Sequence, residues 1–263
     1  MKRREKELKR VLNDKVHGSS ELLDLVYNHI YQNTHDKVYL AHAIKQINNN
    51  LSHFPVILRF TNKIKALLKS SESKDIKEYL DDFVIKKDHI YKTIYKKAKN
   101  KFIKFNTILT ISHSKTLIKI FEMWTKSRPD LKIIVCESRP ENEGILMAEE
   151  LINFGIVTEV ITEAISGNVI KKVDAVILGA DQILTNGNII NKSGSRMLAV
   201  LANYHRIPVF VLASRNKQVK RKTIFRNRSK GKKANNSIDK LIKYRSETFE
   251  EIESQLIRRI FTD

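Results

Sequence analysis

From Thr107 onward the sequence alternates short β-rich apolar runs with amphipathic stretches, and this alternation constrains the fold more than any other feature. The runs are "TILTIS", "KIIVCE", "VTEVIT", "AVILG" and "VFVLA". Between them, residues 115–126, 143–154, 164–170 and 195–205 carry apolar side chains at helical spacing. Strands that alternate with helices predict right-handed crossovers and a mostly parallel sheet covered on both faces. The punctuation agrees: Gly155 stands where a helix should end, Pro208 precedes a run, and "TNGN" around Gly187 reads as a tight turn.

Before that region the pattern is different. From Met1 to about Phe105, apolar residues recur three and four apart, as in Leu22, Leu23, Val26, Tyr27 and Ile30, or Ile76, Tyr79, Leu80 and Phe83. The expectation is an all-helical N-terminal domain over 1–105, followed by a Rossmann-like α/β domain over 106–263. Near the C-terminus, "KQVKRKTIFRNRSKGKK" (residues 217–233) is almost uniformly basic and reads as a mobile, solvated loop. The residues after it, Glu247 to about Ile260, read as a final amphipathic helix.

Composition narrows the function classes. The 49 Lys and Arg against 29 Asp and Glu give a net charge of +20, which favours phosphate-bearing partners, whether metabolites, RNA or an acidic protein face. Heavy use of Lys and Asn throughout could equally supply that charge with no polyanionic partner. The basic segment makes nucleic-acid contact an accessory possibility, although Phe225 is its only ring. A single cysteine, Cys136, excludes an intramolecular disulfide and a multi-cysteine zinc site, and fits a reducing, cytoplasmic setting. The charged start "MKRREKELKRVL" and the lack of a long apolar stretch predict neither secretion nor a membrane span.

In open parallel sheets, ligands bind beyond the carboxyl ends of the strands, where helix N-termini present unpaired N–H groups. The residues following each run are Ser112, His113 and Ser114; Glu137, Ser138 and Arg139; Gly179, Ala180 and Asp181; and Ser214, Arg215 and Lys217. Asn191 and Lys192 stand just before the helix that precedes the last run. Hydroxyls, a carboxylate, an amide and several cations suit a phosphorylated polyol. No G-x-G-x-x-G and no Walker A run is present, so a dinucleotide and a P-loop nucleotide are disfavoured, and no cofactor is expected. Each residue also has a plainer reading: Ser114 as a helix cap, Asp181 as a turn cap, and Arg139 with Glu143 as a surface pair.

The segments "ILTISHSK", "ESRPENEG" and "VILGADQILTNGNIINKSG", with Lys217 after the last run and "KVHGSSEL" near the start, resemble the family that unites the alpha, beta and delta subunits of initiation factor 2B with ribose-1-phosphate-type isomerases. That resemblance implies a helical domain packed on a Rossmann-like one, commonly in dimers or higher oligomers, with a translation factor as a possible partner. In the family's isomerases a cysteine after the first strand and the aspartate of the GAD segment move protons between adjacent sugar carbons. Asn and Lys of the NK motif and the glycine loop hold substrate. Here Asp181, Asn191, Lys192, Gly18 and Ser19 match, and Ser112 stands at the cysteine position.

A thiol with an ordinary pKa of about 8.5 exchanges protons near neutrality, whereas a serine hydroxyl needs a strong base beside it. Cys136 lies within a strand run and reads as a small core residue. His113 could serve as a base or merely hydrogen-bond a neighbour. His17 stands where the isomerases tend to carry arginine, and Ser214 where relatives often carry glutamate. The expected function is therefore a regulatory protein related to initiation factor 2B that binds a phosphorylated sugar or nucleotide with little or no catalysis. The alternative is an aldose–ketose isomerase acting on ribose 1,5-bisphosphate or a 5-substituted ribose 1-phosphate, with Asp181 as acid–base and Ser112 or His113 in place of the thiol. In either case Gly18, Ser19, Ser114, Arg139, Asn191, Lys192 and Lys217 hold the ligand, and no metal is required.

Overall fold

A computed structural model describes residues 2–14, 17–70, 73–220 and 247–263. Five helices come first: α1 (Lys2–Leu12), α2 (Ser19–Gln32), α3 (Lys37–Asn50), α4 (Pro55–Ser70) and α5 (Ser73–Phe102). Their starts follow local chemistry. Asp36 caps α3 by accepting the Tyr39 N–H at 2.9 Å, and Pro55 opens α4 where its missing N–H has no helical partner to lose. Leu22, Val26, Ile30, Leu40, Ile44, Ile47, Ile57 and Ile64 close a hydrophobic core among these helices.

Strands and helices then alternate as the sequence predicts: β1 (Thr107–Ile111), α6 (Lys115–Thr125), β2 (Lys132–Cys136), α7 (Glu143–Asn153), β3 (Val157–Ile161), a short α8 (Ser166–Val169) and β4 (Ala175–Leu178). A hairpin, β5 (Gln182–Leu184) and β6 (Ile189–Lys192), turns at Gly187, whose φ of +83° suits glycine. After α9 (Ser195–Tyr204) come β7 (Val209–Leu212), β8 (Gln218–Val219), β9 (Phe249–Ile252) and β10 (Arg259–Phe261). The large sheet runs β10-β7-β4-β1-β2-β3 and every pairing in it is parallel. Its central strands β4 and β7 are buried along their whole length, as a sheet covered on both faces requires.

Two expectations change. The segment read as a final helix instead forms β9, a 3-10 turn at Ser254–Leu256, and β10. Ile252, Leu256 and Ile260 do recur at helical spacing, but β9 finds an antiparallel partner in β6 and β10 a parallel one in β7, and those ladders override the local signal. The basic segment also begins differently, because Arg215–Lys217 is a 3-10 turn with Lys217 only 4% exposed. Residues 221–233 of that segment lie outside the described residues. A second, four-stranded sheet, β8-β5-β6-β9, had no sequence signal beyond the turn at Gly187.

The helical part is fastened to the sheet at several points. Phe102, at the end of α5, packs on Trp124, Phe210 and Phe261. Arg59 of α4 donates to the carbonyls of Asn216 and Gln218, and the Gln182 amide donates to the His53 carbonyl at 2.9 Å. No described helix is long and apolar enough to cross a membrane.

Candidate functional site

The chain runs from β1 outward to β2 and β3, then returns across β1 to β4 on its other side. The carboxyl ends of β1 and β4 therefore face a crevice where the strand order reverses. The loops leaving these strands touch there: a Cβ on Gly179 would lie 2.9 Å from Ser114 Oγ. The N-terminus of α2 closes over the crevice, with a Cβ on Gly18 falling 3.0 Å from the His113 carbonyl. A side chain at either position would crowd these atoms, so the two glycines let the loops and the helix start approach closely.

A cavity of about 230 Å³ fills the crevice. Of the ten residues singled out by sequence, nine line it: Gly18, Ser19, Ser112, His113, Ser114, Asp181, Asn191, Lys192 and Lys217. Arg139 does not. Its guanidinium pairs with Glu137 at 2.8 Å and its side chain is 69% exposed. Glu143, read as its surface partner, is instead buried inside the site.

Each lining group is placed by its element. Ser114 caps α6 by accepting the Leu117 N–H. Gly18 stands at the N-cap of α2 and offers no side-chain cap, and the Ser19 N–H reaches Asp181 Oδ1 at 3.4 Å. Asn191 is oriented by a 2.9 Å hydrogen bond to Ser195 Oγ. Ser112 adopts φ +68°, a left-handed conformation costly for serine, and its hydroxyl donates to Glu143 Oε1 at 3.2 Å. Lys192 pairs with that same oxygen and lies 3.8 Å from Glu141.

Burial sets the electrostatics. It raises the Glu143 carboxyl above its ordinary range, with Lys192 opposing it. It holds Lys217 below the usual lysine value, while Asp181 pulls the other way. His53 is pushed down to about 4 by the same desolvation. His113 is raised although burial opposes it, because Glu21 and Glu150 each stand 2.8 Å from one of its ring nitrogens. His17, 2.7 Å from Asp14 and 3.6 Å from Glu21, is raised as well. Cys136 is fully buried at the end of β2, its thiol pushed up to about 12, which makes it a core residue.

Sequence reading missed Glu21, His53, Glu141 and Glu143. His53 comes from the turn before α4, where nothing in the local pattern marks a ligand site. Glu143 had a signal, since it is the acidic first residue of a helix directly after a strand, but so is many a solvated helix start. Glu21, His113 and Glu150 offer three donor atoms close enough to surround a cation. The two carboxylates meet different ring nitrogens of one histidine, however, which is the geometry of an ion-paired clamp.

The model of the initiation factor 2 subunit family matches residues 7–262. Ribose 1,5-bisphosphate isomerase of Methanocaldococcus jannaschii is 31% identical over 178 residues, covering 66% of this chain and 58% of that protein. Methylthioribose-1-phosphate isomerase 1 of Pseudothermotoga lettingae is 42% identical over 101 residues, covering 37% of this chain and 29% of that protein. Both matches span less than two thirds of the relatives' own length. The crystal structure of translation initiation factor eIF-2B from Pyrococcus horikoshii OT3 superposes with a TM-score of 0.85 at 20% identity, covering 100% of this chain and 95% of that one.

Proposed function

The chain belongs to the initiation factor 2 subunit family, and from that premise we propose that it is an aldose–ketose isomerase of ribose 1-phosphates, ribose 1,5-bisphosphate foremost. The observation that carries this reading is the meeting in one cavity of Asp181, two buried lysines and the N-terminus of α2. Lys192, Lys217 and the α2 N–H groups provide positive ends for phosphate oxygens. Carboxyl groups stand beside those cations, Asp181 and the buried Glu143 among them, where they balance charge and are placed to carry protons. Isomerisation needs such groups, because protons must leave one carbon and oxygen and arrive at their neighbours.

A sugar whose anomeric oxygen is esterified has no free aldehyde. Its ring must open with protonation of the ring oxygen as the C2 hydrogen departs. One group must therefore serve the oxygens and another the carbons. Asp181 is assigned to the oxygens, held by the Ser19 N–H at the phosphate end of the cavity. Ser114, Asn191, Gly18 and Ser19 position the polyol, and His113 braces the loop through Glu21 and Glu150. The test is an NMR time course with ribose 1,5-bisphosphate and, separately, methylthioribose 1-phosphate. A ketose should accumulate with the natural chain and not with Asp181→Asn.

A second reading, a regulatory protein that binds sugar phosphate or nucleotide without turnover, is favoured by Ser112 at the position of the family's thiol. Ligand-induced shifts with no ketose would select it. The same framework includes two domains meeting near residue 105 and a homo-oligomer. Exposed Ile152, Val157 and Val160 on α7 and β3 are a suitable surface for self-association, which sedimentation would read directly.

A further inference from the structure

Glu143 does more in the cavity than neutralise a lysine. It is the first residue of α7 and 1% exposed. Its Oε1 holds both the Ser112 hydroxyl and the Lys192 ammonium. Its Oε2 is buried and has no hydrogen-bond partner among the described residues. Lys192 has a second carboxylate, Glu141, 3.8 Å away, so charge balance alone does not require Glu143. A buried carboxylate oxygen without a donor costs free energy unless a proton or a ligand completes it.

Resting on the isomerase reading above, we propose that Glu143 is the catalytic acid–base that carries the proton between C2 and C1 of the sugar, with Ser112 and Lys192 orienting its carboxylate. Oε2 takes the C2 hydrogen, and the C2–H electron pair becomes the C1=C2 bond as the C1–ring oxygen bond breaks. The ring oxygen takes its proton from Asp181. Protonated Glu143 then delivers to C1, while the C2 hydroxyl returns its proton to Asp181 and C2 becomes the ketone. Both carboxyl groups finish as they began, with no oxidant, reductant or cofactor consumed. Ser112 is then a positioning residue: its left-handed backbone sets a hydroxyl against Oε1, so the chain can work without a thiol there. Burial raises the Glu143 carboxyl above the ordinary carboxylate range, with Lys192 opposing, and a raised carboxyl is the stronger proton acceptor.

The experiment uses the full chain with ribose 1,5-bisphosphate, following ketose by NMR across pH. Glu143→Gln should lower kcat by about 100-fold or more, the scale of a lost general base, with KM little changed. It should also erase the acidic limb of the pH profile, since only the ionised carboxylate accepts the C2 hydrogen. Glu143→Asp guards against a variant that simply fails to fold: it keeps a charge for Lys192 and should melt near the natural chain, yet it withdraws the carboxylate by one methylene and loses kcat. Overturning results are a Glu143→Gln enzyme with natural kcat, or a loss confined to KM with the acidic limb intact. The latter would make Glu143 only the counter-ion of Lys192. No turnover by the natural chain would sink the isomerase reading before any substitution is made, and this inference with it.

Discussion

His53 and His113 line the same cavity and titrate in opposite directions, because one meets mainly desolvation and the other two carboxylates. His53 falls from its ordinary 6.5 to about 4. An unfolded chain takes up that proton at 6.5 while the folded chain refuses it. Stability tied to His53 is therefore present above pH 6.5 and drains away as pH falls toward 4. The full linkage across that window is roughly 3 kcal/mol. His53→Gln should flatten the acid side of a plot of melting temperature against pH between these values. An unchanged slope would mean that His53 is protonated in the folded protein.

At the scale of the elements, α7 packs closely on β2 at its start. A Cβ on Gly144 would lie 2.0 Å from the Cys136 carbonyl oxygen, a backbone atom at the end of β2 that has no room to move. Gly144→Ala should therefore lower stability by ~2 kcal/mol or more in urea unfolding, in the range of overpacked core positions. If the chain is an isomerase, the same substitution should also weaken turnover, because Glu143 is the preceding residue. Strands β1, β2, β4 and β7 were legible in sequence because buried parallel strands read as plain apolar runs. Phe249–Phe261 was not, since its pairing with β6 and β7 is set by partners far away in the chain. The same split holds in the cavity. Ser112, Asp181 and Lys217 follow strands and could be named from position, whereas His53 and Glu21 are delivered by the packing of the helices.

At the scale of the whole molecule, His113 joins the two parts of the fold: Glu21 belongs to α2 and Glu150 to α7. Lys115, 4.0 Å from Glu150, and His17 complete the charges around it. Its folded pKa is raised above 6.5, so its contribution is full below pH 6.5 and is lost as pH rises through the folded value. The natural chain should lose melting temperature on that alkaline side more steeply than His113→Gln, and parallel curves would remove the clamp. This clamp holds the α2 N-terminus over the strand ends, where the sugar phosphate must lie if the chain is an isomerase. The decisive measurement is carbon NMR of ribose 1,5-bisphosphate labelled at C2, incubated with the natural chain and with Asp181→Asn. An isomerase at this site produces a ketone carbon resonance with the natural chain and none with the variant. Ligand-induced shifts without a ketone signal, or equal turnover by both chains, would contradict it.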